Sequence, residues 1–219
     1  MLFRSQNDVA ALTSAQLRGL TTTQIGWLDS LQLQALPIEQ LPLLTTLQVQ
    51  VMAASQLQAL TGPQVAAFST SQYAQLLPLQ VLALSADQIS SLETEDLRAL
   101  STGSVSAFNT QQLTALSETQ FNAFNSVQLS ALSTAQLRSL LPEHLSTLDG
   151  AEISSLPTSS IASLSQSQLV YLSTAQVSAL TTVQLRQLGT EQLRALSIEQ
   201  TAALATDRSV RCSSARWPH

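Results

Sequence analysis

From Ser5 onward, apolar and polar positions follow a period of eight that never slips: SQNDVAAL, TSAQLRGL, TTTQIGWL, and so on to SIEQTAAL at 197–204. That makes 25 consecutive octads over 200 of the 219 residues. The eighth position is apolar in all 25 and Leu in 21, and the fifth is apolar in 24, with Thr201 the exception. The fourth is Gln in 19, the seventh is small in 19, and the first is Ser, Thr, Asp, Asn or Gly in 19. The consensus is S-T-x-Q-L-x-A-L.

One continuous helix does not suit this period. At about 100° per residue the apolar stripe would advance about 80° with each octad and wrap around the axis. A strand would send positions 5 and 8 to opposite faces. One short helix per octad explains each position in turn. Position 1 is the N-cap, whose hydroxyl accepts a first-turn N–H. Position 4 is N3, where Gln reaches back to the cap amide and completes a capping box. Position 8 of the preceding octad and position 5 form a hydrophobic staple, so Leu132 is expected to pack on Leu137 across Ser133 and Gln136. Pro78 and Pro142 fall at position 2, the N1 site that tolerates proline.

The charges sort the same way. Thirteen of the 14 acidic residues lie in octads, all at positions 1 to 4. The five octad arginines, Arg18, Arg98, Arg138, Arg186 and Arg194, all lie at position 6. Acid near the start and base near the end is the arrangement a helix dipole favours.

Such a helix, about 10 Å long, does not persist alone in water. Its two large apolar side chains must be buried by other octads, and small seventh residues permit close approach. The expected fold is therefore an all-α repeat solenoid of short capped helices, an elongated rod or superhelix. Two, three or four octads per turn all fit, with three, or 24 residues, preferred. Residues 1–4 are a lead-in, 5–204 a single solenoid, and 205–219 a degenerate repeat with a mobile tail. A radius of gyration above the roughly 17 Å of a compact globule of this length is expected.

Composition narrows the function. The net charge is −5 and there is no lysine, which argues against a nucleic-acid partner. No window approaches 18 uninterrupted apolar residues, so no membrane span is expected. His144 reads as a capping substitute for Gln, and His219 and Cys212 supply no metal-ligand spacing. Glu93, Glu95 and Asp96 form an acidic knot in one first turn, which the dipole explains without a catalytic pair. No glycine-rich phosphate loop and no G-x-S-x-G elbow occur. No catalytic, cofactor-binding or metal residue is assigned, and no cofactor is expected. Candidate partner contacts are Trp27 and Tyr171, which interrupt the small seventh position, with Arg98, Arg138, Arg186 and Arg194.

The phrases LSTAQVSAL, LTTVQLRQL and LSTAQLRSL resemble the long L-[ST]-T-x-Q-[LIV]-x-A arrays of large bacterial repeat proteins, which are often labelled haem utilisation or adhesion. The resemblance spans residues 5–204. It implies a secreted or surface-associated protein with a scaffolding or adhesive role, and carries over no catalytic or ligand residue. The expected function is a non-enzymatic scaffold that meets a protein or cell-surface partner, or associates with itself end to end. The alternative is a nucleic-acid reader using the position-6 arginines.

Overall fold

A computed structural model describes residues 5–211, with side chains to Leu204. His219 and Cys212, and the tail beyond residue 211, lie outside the described residues. Every octad from Ser5 to Leu204 holds one helix, 24 of them α and one 3-10, and no strand occurs among the described residues.

The local chemistry is the one the octad encodes. In octad 17 the helix Thr134–Ser139 is capped by Ser133, whose hydroxyl accepts from Gln136 N, while Ser133 N donates to Gln136 Oε1 at 2.7 Å. Leu132 and Leu137, the staple pair, are both buried. A helix that reaches position 7 ends because position 8 turns extended, as at Leu140 (φ −63°, ψ 143°), with its N–H bonded back to Leu137 O. Among the described residues no position has positive φ, so the joint needs no glycine. Octad 5 departs from the pattern. Pro37 cannot cap, and Pro42 at position 6 has no N–H for the i→i−4 bond, so Ile38–Leu43 tightens to a 3-10 helix.

The last helix also differs. Ile198–Arg211 runs straight through the place where octad 26 would begin. Ala205 stands where a capping side chain is needed, and without a cap nothing restarts the frame. Up to Arg211, the segment read as a degenerate repeat and mobile tail is therefore helical.

The chain forms two compact units, Met1–Phe124 and Asn125–His219, divided at an octad joint. Inside unit 1 each helix packs on the helix three octads away: the first with the fourth, the second with the fifth, and so on to the twelfth with the fifteenth. Inside unit 2 the same rule runs from the sixteenth with the nineteenth to the twenty-second with the twenty-fifth. Three octads, 24 residues, therefore make one turn of a solenoid in each unit. Positions 5 and 8 fill the interior, among them Leu57, Leu97, Leu137 and Leu169. Position 7 is small because it lies against position 2 of the helix three octads earlier. A Cβ on Gly150 would stand 3.0 Å from the Ala179 Cβ.

Candidate functional site

The most ordered chemistry in the molecule is a ladder of buried glutamines. The Oε1 of Gln112 accepts from Asn109 N at 2.9 Å, closing the capping box of its own helix. Its Nε2 donates to Val81 O at 2.8 Å and Leu84 O at 2.6 Å, carbonyls at positions 5 and 8 of the octad four earlier. One amide thus satisfies the start of its own helix and the C-terminal carbonyls of the turn below. In unit 1 the same pair of bonds recurs at Gln48, Gln56, Gln64, Gln72, Gln80, Gln88 and Gln120. In unit 2 it recurs at Gln168, Gln176, Gln184 and Gln200. The sequence reading assigned position 4 to capping alone and missed this second role. Octad 5 shows the dependence in reverse: Pro37 has no N–H to give, and the buried Gln40 Oε1 is left without a partner.

A second set of bonds runs the opposite way. Arg18 Nε donates to Leu43 O at 3.1 Å, Arg98 Nε to Ala123 O at 3.2 Å, and Gln34 Nε2 to Ala59 O at 2.7 Å. Each spans 25 residues, from position 6 to the position-7 carbonyl three octads on. Position 6 is therefore partly a structural tie, which sequence alone did not show.

The six candidate contact residues divide between the two units, Trp27 and Arg98 in the first and Arg138, Tyr171, Arg186 and Arg194 in the second. In unit 1, Trp27 is the C-cap of Thr22–Gly26 and 68% exposed, and Arg98 belongs to the same column of helices three turns away. In unit 2, Tyr171 is 55% exposed on Gln166–Tyr171, which stacks against Thr190–Ala195, the helix of Arg194. Arg194 pairs with Glu191 at 3.1 Å on an open surface, a contact worth little net energy. Arg138 and Arg186 occupy one column, two turns apart.

The acidic knot divides by burial. Glu95 is exposed, and its carboxyl is held low by its own backbone N–H and by the Thr94 hydroxyl. Asp96, at position 4, is only 5% exposed. Burial pushes its carboxyl up to about 6, against the pull of the Glu93 N–H at 3.2 Å, with Glu93 and Glu95 adding to the rise. Glu95 thus lies on the surface and Asp96 in the interior of the same helix. In this slot a glutamine would donate to Val65 O and Phe68 O. The Tyr73 hydroxyl, kept protonated by burial and by Asp96, supplies the Val65 bond instead at 2.6 Å. An ionised Asp96 has no donor for Phe68 O.

Because the Asp96 pKa is raised on folding, its contribution to stability is complete below the ordinary carboxylate range and is lost as pH rises through about 6. Asp96→Gln is therefore expected to stabilise unit 1 at pH 7.5 by about 1–2 kcal/mol. The gain should shrink as pH falls from 7.5 to 4.5. Urea midpoints of the two chains across that range give the check, and a gain independent of pH would contradict it.

His144 occupies the same slot in octad 18 and is buried, but its helix forms no capping box, so it fills the interior place of the glutamine rather than its cap role. An open depression near the start of the array is lined by Ser5, Gln6, Asn7, Asp29, Leu31 and Gln32, with Asp29 its one charge. Among the described residues no three His, Cys, Asp or Glu side chains are grouped so as to hold a metal ion. No described helix is long and apolar enough to cross a membrane. No curated protein matches the chain. Residues 6–37 and 89–126 match the family model described as the ALTTAQ repeat, and over those two stretches the chain is similar to that repeat family.

Proposed function

We propose that the chain is a non-enzymatic scaffold that presents or spaces an interaction surface. The observation that supports this is where its polar side chains go. Glutamines, serines, threonines and two of the arginines that elsewhere do chemistry are engaged in caps and ties between turns. What is left for function is a surface repeated from octad to octad. The partner in this reading is a protein or a cell surface, with end-to-end association of copies as a further form. A bacterial secreted or surface-attached setting with an adhesive role follows from the resemblance of the octads to such arrays.

The experiment that tests the reading is a titration of the whole chain with duplex DNA and with RNA at about 50 mM and 200 mM salt. Only weak binding at both is expected, because Arg18 and Arg98 already tie their helices and the net charge is −5. Micromolar affinity that falls steeply with salt would overturn it in favour of a nucleic-acid reader.

A further inference from the structure

The glutamine ladder of unit 1 is interrupted at two successive octads. Octad 12 carries Asp96 at position 4, and octad 13 carries Ser104. On either side the ladder is complete: Gln88 donates to Leu57 O and Leu60 O, and Gln112 to Val81 O and Leu84 O. Ser104 has one hydroxyl proton, which goes to Leu76 O at 2.7 Å. Near Asp96 the Tyr73 hydroxyl serves Val65 O at 2.6 Å, but Tyr73 belongs to octad 9, the neighbour of octad 8 along the chain, so this bond does not reach octad 12. Among the described residues no donor reaches Phe68 O. Glu93 also gives the helix Thr94–Ala99 no side-chain cap bond. Two full rungs would place four bonds across these steps, and while Asp96 is ionised only the Ser104 bond stands.

We propose that octads 12 and 13 form a proton-gated joint in unit 1: a neutral Asp96 gives its O–H to Phe68 O in place of the missing glutamine amide, and an ionised Asp96 lets this turn open locally while the flanking rungs stay closed. The side chains gathered here supply what such a gate needs. Asp96 is buried, one of its oxygens accepts from Glu93 N at 3.2 Å, and the other is left for a proton. A carboxylate kept from water beside a carbonyl that lacks a donor is the costly state, and protonation removes both the charge and the gap. Burial pushes this carboxyl up to about 6, so the closed form is complete in acid and lost as pH rises through about 6. The helices packed on Thr94–Ala99 are Thr70–Tyr73 and Glu118–Phe121, which bring Tyr73 and Glu118, and its own turn brings Glu93, Glu95 and Arg98. The octad of Val65 and Phe68 brings no ionisable group. Glu93, Glu95, Arg98 and Glu118 are exposed, and the Tyr73 hydroxyl stays protonated, which leaves Asp96 as the buried group that responds.

The test is hydrogen–deuterium exchange of the full chain at about pH 5 and about pH 7.5, corrected for the intrinsic pH dependence of exchange and read by mass spectrometry. Urea midpoints report the stability of the whole unit, whereas exchange reports where the pH dependence resides. Helices this short do not hold once unpacked, so opening of the joint is visible in their amides. In the wild type, residues 61–76 and 93–108 should lose protection by about tenfold or more between the two pH values. Residues 45–60, with full rungs at Gln48 and Gln56, should keep theirs. Asp96→Asn, which offers an N–H at every pH, should hold the joint closed at both, and Glu95→Gln should leave the wild-type response in place. No pH response in the wild type, a response spread evenly over unit 1, or one that persists in Asp96→Asn would overturn the proposal. The comparison between peptides of the wild type stands whether or not a variant folds.

Discussion

Leu132→Ala is expected to destabilise unit 2 by about 2–5 kcal/mol. Leu132 closes octad 16 at position 8 and is 3% exposed, with Leu137, its staple partner, fully buried behind the next cap. Truncation removes the transfer energy of the side chain and leaves a cavity that the surrounding structure fills only in part. Two neighbours set the scale. Ser133→Ala, which loses the hydroxyl accepting from Gln136 N, is expected to cost about 1 kcal/mol. Ala135→Ser, on the exposed third position, should stay within about 0.5 kcal/mol of the wild type. Urea melts of the three variants rank them, and an Ala135→Ser change as damaging as Leu132→Ala would show that the faces of the octad are wrongly assigned.

The helices and their caps were legible because they are local. Ser133, Gln136 and Leu137 lie within five residues, and the hydroxyl, amide and leucine each have one use at that spacing. The 24-residue turn was only preferred among alternatives, since stacking is non-local and every octad resembles its neighbours. One trace of it is visible afterwards: Thr22, Thr46, Thr70 and Thr94 stand 24 apart and share a column. The glutamine ladder had a clearer signal. A capping box accepts Glu as readily as Gln, and the helix dipole prefers Glu, yet position 4 is Gln 19 times and Glu once, at Glu152. That excess points to a need for an N–H donor, a need that only the turn below creates.

Surface roles were less readable. Arg98 looks free along the sequence, but its Nε is engaged by Ala123 O, a carbonyl 25 residues away. Trp27 in unit 1 and Tyr171 in unit 2 are both exposed.

Glutamine at position 4 holds turn to turn as well as capping its own helix. The direct measurement is one substitution, Gln→Glu, made separately at Gln112 and at Gln16 and followed by urea denaturation at pH 7. Both side chains accept from the N–H of their own cap residue, Asn109 at 2.9 Å and Thr13 at 2.8 Å, and glutamate keeps that bond. Gln16 is exposed, and among the described residues its hydrogen bonds stay within its own octad. Gln112 is 1% exposed and gives its amide protons to Val81 O and Leu84 O. Glutamate there sets a buried anion against two carbonyl oxygens that have lost their donor. The expected cost is about 3–5 kcal/mol at Gln112 and less than about 0.5 kcal/mol at Gln16. If position 4 served only the capping box, glutamate would be neutral or mildly stabilising at both sites, and equal effects at Gln112 and Gln16 would contradict the ladder.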